Sequence, residues 1–137
     1  MKRDLRGILR LSLRGLGLGT SLFGLTPLVA PDQFARLFGL PYDKRRPAAA
    51  MAVRSVGARD LISGLAVLAT AGNVTRNRPW LLVRLAADGG DAAITWVALR
   101  GEPRNRRLLA LGAAAAGAAL VDAALLLMSL AAKKPSS

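Results

Sequence analysis

The chain contains no cysteine and no histidine. The first absence excludes disulfides, thiol nucleophiles and iron–sulfur clusters, and the two together exclude zinc sites of the usual kind. Without imidazole, any catalysis must rest on Asp, Glu, Lys, Arg, Ser, Thr or the lone Tyr42. Aromatic residues make up only 4%, too few for the stacking platforms that nucleic-acid binders set among their basic residues. Acidic residues are also scarce, 8 against 20 Lys and Arg, which leaves a formal charge of +12. Such a balance points to nucleic acid, an anionic membrane surface, or basic loops that fix membrane topology. The basic residues cluster between long apolar runs, so the third reading fits and nucleic acid is not an expected partner.

What is present is apolar sequence in four long segments. At 137 residues the chain is one domain by size, so residues 1–137 are read as a single integral membrane unit. The segments cover approximately 8–30, 48–71, 79–99 and 108–132, each near the ~20 residues that cross a bilayer as helix. The last carries one charge, Asp122, and is closed by Lys133 and Lys134. Arg10 and Arg14 stand near the start of the first, where long side chains can snorkel to head groups. Pro27 and Pro31 mark its end. Asp32 then caps a short amphipathic helix, "QFARLFGL", with Phe34, Leu37 and Phe38 on one side, as a piece lying in the membrane interface would have. Pro79 suits a first helical turn, and Trp80 and Trp96 suit interfacial anchors. No segment alternates in the strand manner. The expected fold is therefore all-α, a four-transmembrane-helix bundle with a short interfacial helix between helices 1 and 2.

Two alternatives fit less well. A soluble helical bundle needs a polar face on each helix, and the fourth segment has almost none. A cleaved signal peptide fits "KRDLR" before an apolar stretch, but Arg10 and Arg14 interrupt that stretch and "TPLVAP" lacks the small-x-small cleavage pattern. The expected location is the cell (cytoplasmic) membrane. Lys and Arg divide seven to eight between the two sets of loops, which does not orient the chain.

The polar residues inside the apolar segments carry the functional signal. In "RLAADGGDAAIT", Arg84, Asp88, Asp91 and Thr95 fall within about 60° on a helix, a polar stripe that lipid would not tolerate. Gly89 and Gly90 would let a neighbouring helix approach, or let the helix unwind and free backbone groups for a ligand. In "RSVGARDLISG", Arg54, Gly57, Leu61 and Gly64 share a face, where the glycines would let a neighbour come close, while Arg59 and Asp60 point about 140° and 240° away from Arg54. Asp122 completes the set. Arg54, Arg59, Arg84, Asp60, Asp88, Asp91 and Asp122 form the expected buried network, three positive charges against four negative, tolerable because they pair across helices. Asp88 and Asp91 lie one turn apart, and Arg84 can serve only one of them well. The network either fixes helix register alone or serves a ligand, a proton or catalysis.

Gly15-x-x-x-Gly19 reads as a packing motif, since no strand precedes it and a third glycine is missing. "DGGD" has the carboxylate spacing of membrane enzymes that transfer phosphoalcohols on divalent metals. The Ala-Arg and second carboxylate pair that those enzymes need are missing, so no metal and no cofactor are expected.

The end of the first segment with "PDQFARLFGLP", the stretch "VRSVGARDLISGLAVL" and the aspartates of the third segment resemble a family of small four-helix membrane proteins of unassigned function. The resemblance covers most of the chain. It implies four spanning helices and singles out Arg54, Gly57, Arg59 and Asp60 with Asp88 and Asp91, but it implies no activity.

Three functions follow as expectations. In one, the Arg/Asp centre binds a small or lipid-like ligand, or supports a partner. In another, a membrane-embedded isomerase or cyclase acts on an apolar substrate, with Asp88 or Asp91 as acid and Arg54 or Arg84 steadying negative charge. A proton or ion pathway is a third, which four short helices could build only as a homo-oligomer. Lipid bilayer and lipid-like ligand are the expected partners, and self-association stays open.

Overall fold

The computed structural model describes residues 2–40, 42 and 45–132, with side chains described from residue 5 onward. Expectations placed on Lys133 and Lys134 lie outside the described residues. Five helices follow in order: α1 (Lys2–Val29), α2 (Pro31–Phe38), α3 (Pro47–Thr70), α4 (Val74–Gly101) and α5 (Arg106–Ala131), with no strand among the described residues.

Each boundary has a local cause. Pro31 and Pro47 open α2 and α3, where a missing N–H costs nothing and the ring presets φ. Asn73 and Asn105 cap α4 and α5, accepting from Arg76 N (3.2 Å) and from Arg107 N and Leu108 N (3.2 Å each). Asp32 does not cap α2: it lies in the first turn and pairs with Arg36 at 3.2 Å. The cap is at the other end, where Gly39 takes φ 66° and Leu40 N donates to Ala35 O at 2.9 Å. Pro79 is not in a first turn either, because α4 starts five residues earlier than its apolar run.

The helices form two close pairs, α1 with α3 and α4 with α5, which meet along a thinner α3–α4 seam. Glycines bring α1 and α3 into backbone contact. A Cβ at Gly17 would lie 2.7 Å from Leu68 N, one at Gly57 2.6 Å from Gly24 O, and one at Gly64 2.6 Å from Ser21 N. Gly15 and Gly19, expected to pack, meet no such neighbour: a Cβ at either would have nothing within 4 Å. Gly89 and Gly90 likewise touch no neighbour, and α4 runs through them without unwinding.

Two small apolar cores close the ends of the bundle. One gathers Leu9, Leu13, Val67, Ala71, Leu81 and Leu125, with Trp80 against it. The other gathers Phe34, Ala35 and Val53. Phe34 and Phe38 therefore face the protein, with Phe34 5.6 Å from the Phe23 ring, and of the expected outward face only Leu37 is exposed.

The outside is apolar. Val29 is 80% exposed, Met51 68%, Trp96 64% and Leu120 71%, one on each long helix. In α5 the buried residues are Asp122, Leu125 and Ser129 only. Among the described residues, α5 is the one helix long and apolar enough by itself to cross a membrane. The α1–α2 pair, bent by 109°, meets the same standard jointly. The apolar segments lead one to expect four such helices, and α3 and α4 fall short because of the charges they carry.

Candidate functional site

Those charges meet halfway along the bundle. From α3, Arg59 spans the seam to α4: its Nη1 and Nη2 donate to Oδ1 and Oδ2 of Asp91 at 3.2 and 2.7 Å, a two-pronged ion pair. Its Nε also donates to Oδ1 of Asp60 at 3.0 Å. From α4, Arg84 turns the opposite way: Nε donates to Oδ1 of Asp122 on α5 at 3.1 Å, and Nη2 to Oδ2 of Asp88 at 3.0 Å. Arg84 is 5% exposed and Asp122 0%. Thus α4 is the hub, tied by Asp91 to α3 and by Arg84 to α5.

Six of the seven expected residues come together here. The seventh does not: Arg54 is exposed and takes no part in these pairs. Its angle explains why, since it lies about 140° round α3 from Arg59. Another expectation also fails. Arg59 and Asp60 should face different neighbours by their angles, yet the long guanidinium folds back onto the adjacent carboxylate. The competition of Asp88 and Asp91 for Arg84 is resolved by Arg59, which takes Asp91. Without Arg54 the balance becomes two guanidiniums to four carboxyl groups. One of these oxygens, Oδ2 of Asp122, is fully buried with no hydrogen-bond partner. The hydroxyls of Thr95 and Ser63 donate to the backbone of their own helices, at Asp91 O (2.7 Å) and Asp60 O (3.2 Å). Among the described residues, no three carboxylates gather as a metal site.

Beside this centre a cleft of about 750 Å³ opens between the two helix pairs. Asp60, Arg84, Asp88, Asp91 and Thr95 form its polar floor. Its walls are apolar, with Phe23, Phe34 and Phe38 toward α2 and alanines of α3 and α5 along the sides. Gly15 and Gly19 also line it, so their missing side chains leave cleft volume.

Sequence reasoning misses three features. Gly57 and Gly64 pack as their shared face leads one to expect, but their partners Gly17 and Gly24 on α1 are missed, although the same seven-residue spacing is the signal that points to them. The aromatic wall reads in sequence as a membrane-facing surface. Asn77, fully buried, donates to Val67 O at 2.8 Å and to Thr70 Oγ1 at 2.9 Å, and nothing in the polar stretch "GNVTRNR" marks it.

Fold and site together define an all-α protein with an apolar cleft set over a floor of paired charges. The chain belongs to the family DUF4267, a domain of unknown function, whose family model matches residues 17–135. No curated protein and no solved structure matches it.

Proposed function

We propose that the chain is an integral membrane protein of the cell membrane, spanning it with α1, α3, α4 and α5, and that the cleft binds a small or lipid-like ligand. The observation that carries the reading is the inverted distribution of side chains. Large apolar residues point outward on every long helix, while the charged groups of α3, α4 and α5 pair inside. In water such a surface would be an association hazard, whereas hydrocarbon solvates it. Charges keep α3 and α4 below a composition standard for spanning helices, but those of the centre pair inside, and the exposed Arg54 stands two turns from the start of α3, where a long side chain can snorkel to head groups. The shortest of the four helices, α3 with 24 residues, measures about 36 Å at 1.5 Å per residue, enough for a ~30 Å hydrocarbon core. A cleft of about 750 Å³ with apolar walls and a few converging polar groups has the size and chemistry of a small-molecule site. The first test is extraction. Alkaline carbonate should leave the protein in the membrane fraction while detergent releases it; release by carbonate would sink the reading.

A second reading, a membrane-embedded acid–base enzyme of isomerase or cyclase type, draws support from Asp88. This carboxyl lines the cleft and is bonded by Arg84, whereas Asp91 is held on both oxygens by Arg59. Asp88 would then be the acid and Arg84 the group that steadies developing negative charge. Membranes carrying wild type or Asp88→Asn, incubated with apolar lipid extract, separate the readings by liquid chromatography coupled to mass spectrometry, which resolves isomers of equal mass by retention. A mass-neutral conversion seen only with wild type would establish the enzyme, and its absence would leave the binding protein.

A further inference from the structure

The charge balance at the cleft floor has a direction. Two guanidiniums face four carboxyl groups, and three of those carboxyls, Asp60, Asp88 and Asp91, line the cleft. Asp91 is satisfied on both oxygens by Arg59. Asp60 is only 7% exposed, and Arg59 reaches it through Oδ1, leaving Oδ2 without a donor among the described residues. Asp122, behind Arg84, has a fully buried oxygen without a partner. The floor therefore has carboxylate acceptors to spare and, among the described residues, no spare cation. An anionic head group would meet repulsion here, and a neutral hydroxyl would supply one donor. A protonated amine supplies up to three donors and a positive charge, and bonds of that kind are about twice as strong as neutral ones.

We infer that the cleft selects ligands whose polar end is a protonated amine on an apolar body, the amine seated on Asp60 and Asp88 and the body against the Phe23, Phe34 and Phe38 wall. This inference rests on the cleft being a ligand site and adds the chemical class of the head group. The apolar part fits the walls, and the charged end brings the floor toward neutrality, which a desolvated cluster requires.

The test uses three probes that differ only in the head group: octylammonium, octanol and octanoate. Each is titrated calorimetrically into the purified full chain in a non-ionic detergent. An Ala115→Trp variant, which fills the cleft from α5, serves as the blank for partition into micelles. Octylammonium should bind at least about tenfold more tightly than octanol and octanoate, a difference one charge-assisted bond can supply. Asp60→Asn should remove most of that preference, lowering octylammonium affinity far more than octanol affinity, and Asp88→Asn serves the same purpose if the first variant does not fold. Equal binding of the three probes, or preference for octanoate, would overturn the amine assignment and leave the cleft a ligand site. Heats matching the Ala115→Trp blank for all three probes would overturn the ligand site itself, and the amine assignment with it.

Discussion

Replacing Arg84 by Met removes the guanidinium that joins Asp88 and Asp122. Asp88 lines the cleft and can be solvated there, so its loss of a partner is partly compensated. Asp122 is 0% exposed and has no such recourse. Removing one partner of a buried ion pair costs about 3–5 kcal/mol, because the other charge is stranded. Asp122→Asn is a different perturbation. Arg84 keeps Asp88, and the cost is that of an imperfectly bonded buried amide, about 1–3 kcal/mol. The two changes should not add. In the double variant no charge is stranded at position 122, so Asp122→Asn should rescue Arg84→Met and bring the loss back toward about 1–3 kcal/mol. The assay is a double-mutant cycle by denaturant unfolding in one detergent, followed by tryptophan fluorescence. A double variant less stable than Arg84→Met, by the full cost of Asp122→Asn, would show the two residues to be uncoupled. The α4–α5 tie described above would then be refuted.

Gly57→Val and Gly24→Val should each cost about 1–3 kcal/mol or more through overpacking against backbone, while Gly15→Ala and Gly19→Ala, which meet open space, should leave the unfolding midpoint in place. Equal sensitivity at all four positions would contradict the α1–α3 register. Arg54→Ala should change stability by no more than about ±0.5 kcal/mol, as exposed substitutions do, whereas Arg59→Ala should be clearly destabilising because it strands Asp91 and Asp60 at once. Matching melting curves for the two arginine variants would return Arg54 to the network.

The helix positions are legible where apolar runs end at strong punctuation. Pro47 marks the start of α3 and Asn105 that of α5, and the apolar segments begin within a few residues of both. The start of α4 is not legible in this way, because its first turn and a half, "VTRNR", is polar and resembles a loop. A helix does not need an apolar first turn when an asparagine caps it. The charged centre is legible because charges inside apolar runs stand out against their surroundings. Their partners are not, because a helical wheel gives angles around one helix and not the identity of the helix alongside. Arg54 and Arg59 show this: both lie in an apolar run, and only the placement of α4 beside Arg59 separates them. The glycines teach the same lesson. Gly15-x-x-x-Gly19 and the Gly17–Gly24 pair lie on the same helix, and α3 packs on the second because Gly57 and Gly64 match its seven-residue spacing.

Why the bundle stays open at mid-height follows from how its two halves are held. Within each half, small residues let helices pack closely: glycine backbone contacts join α1 to α3, and Gly112 lies against Thr95 where α5 meets α4. Between the halves, the apolar core lies at one end, where Leu9, Leu13, Val67 and Ala71 meet Leu81 and Leu125. The middle of the seam is spanned by Arg59 and Asp91, whose long guanidinium reaches across space that packed side chains would otherwise have to fill. Alanines at 49, 52, 114, 115 and 118 then leave the walls of the cleft too short to meet. In water, burying those walls would draw the two halves together. In a bilayer, the setting proposed above, no such force would act between helices, and an apolar cleft would cost little to keep open. The ion pairs that hold the seam therefore also form the floor of the cleft, so a ligand that changes the charge there acts on the contact joining the two helix pairs.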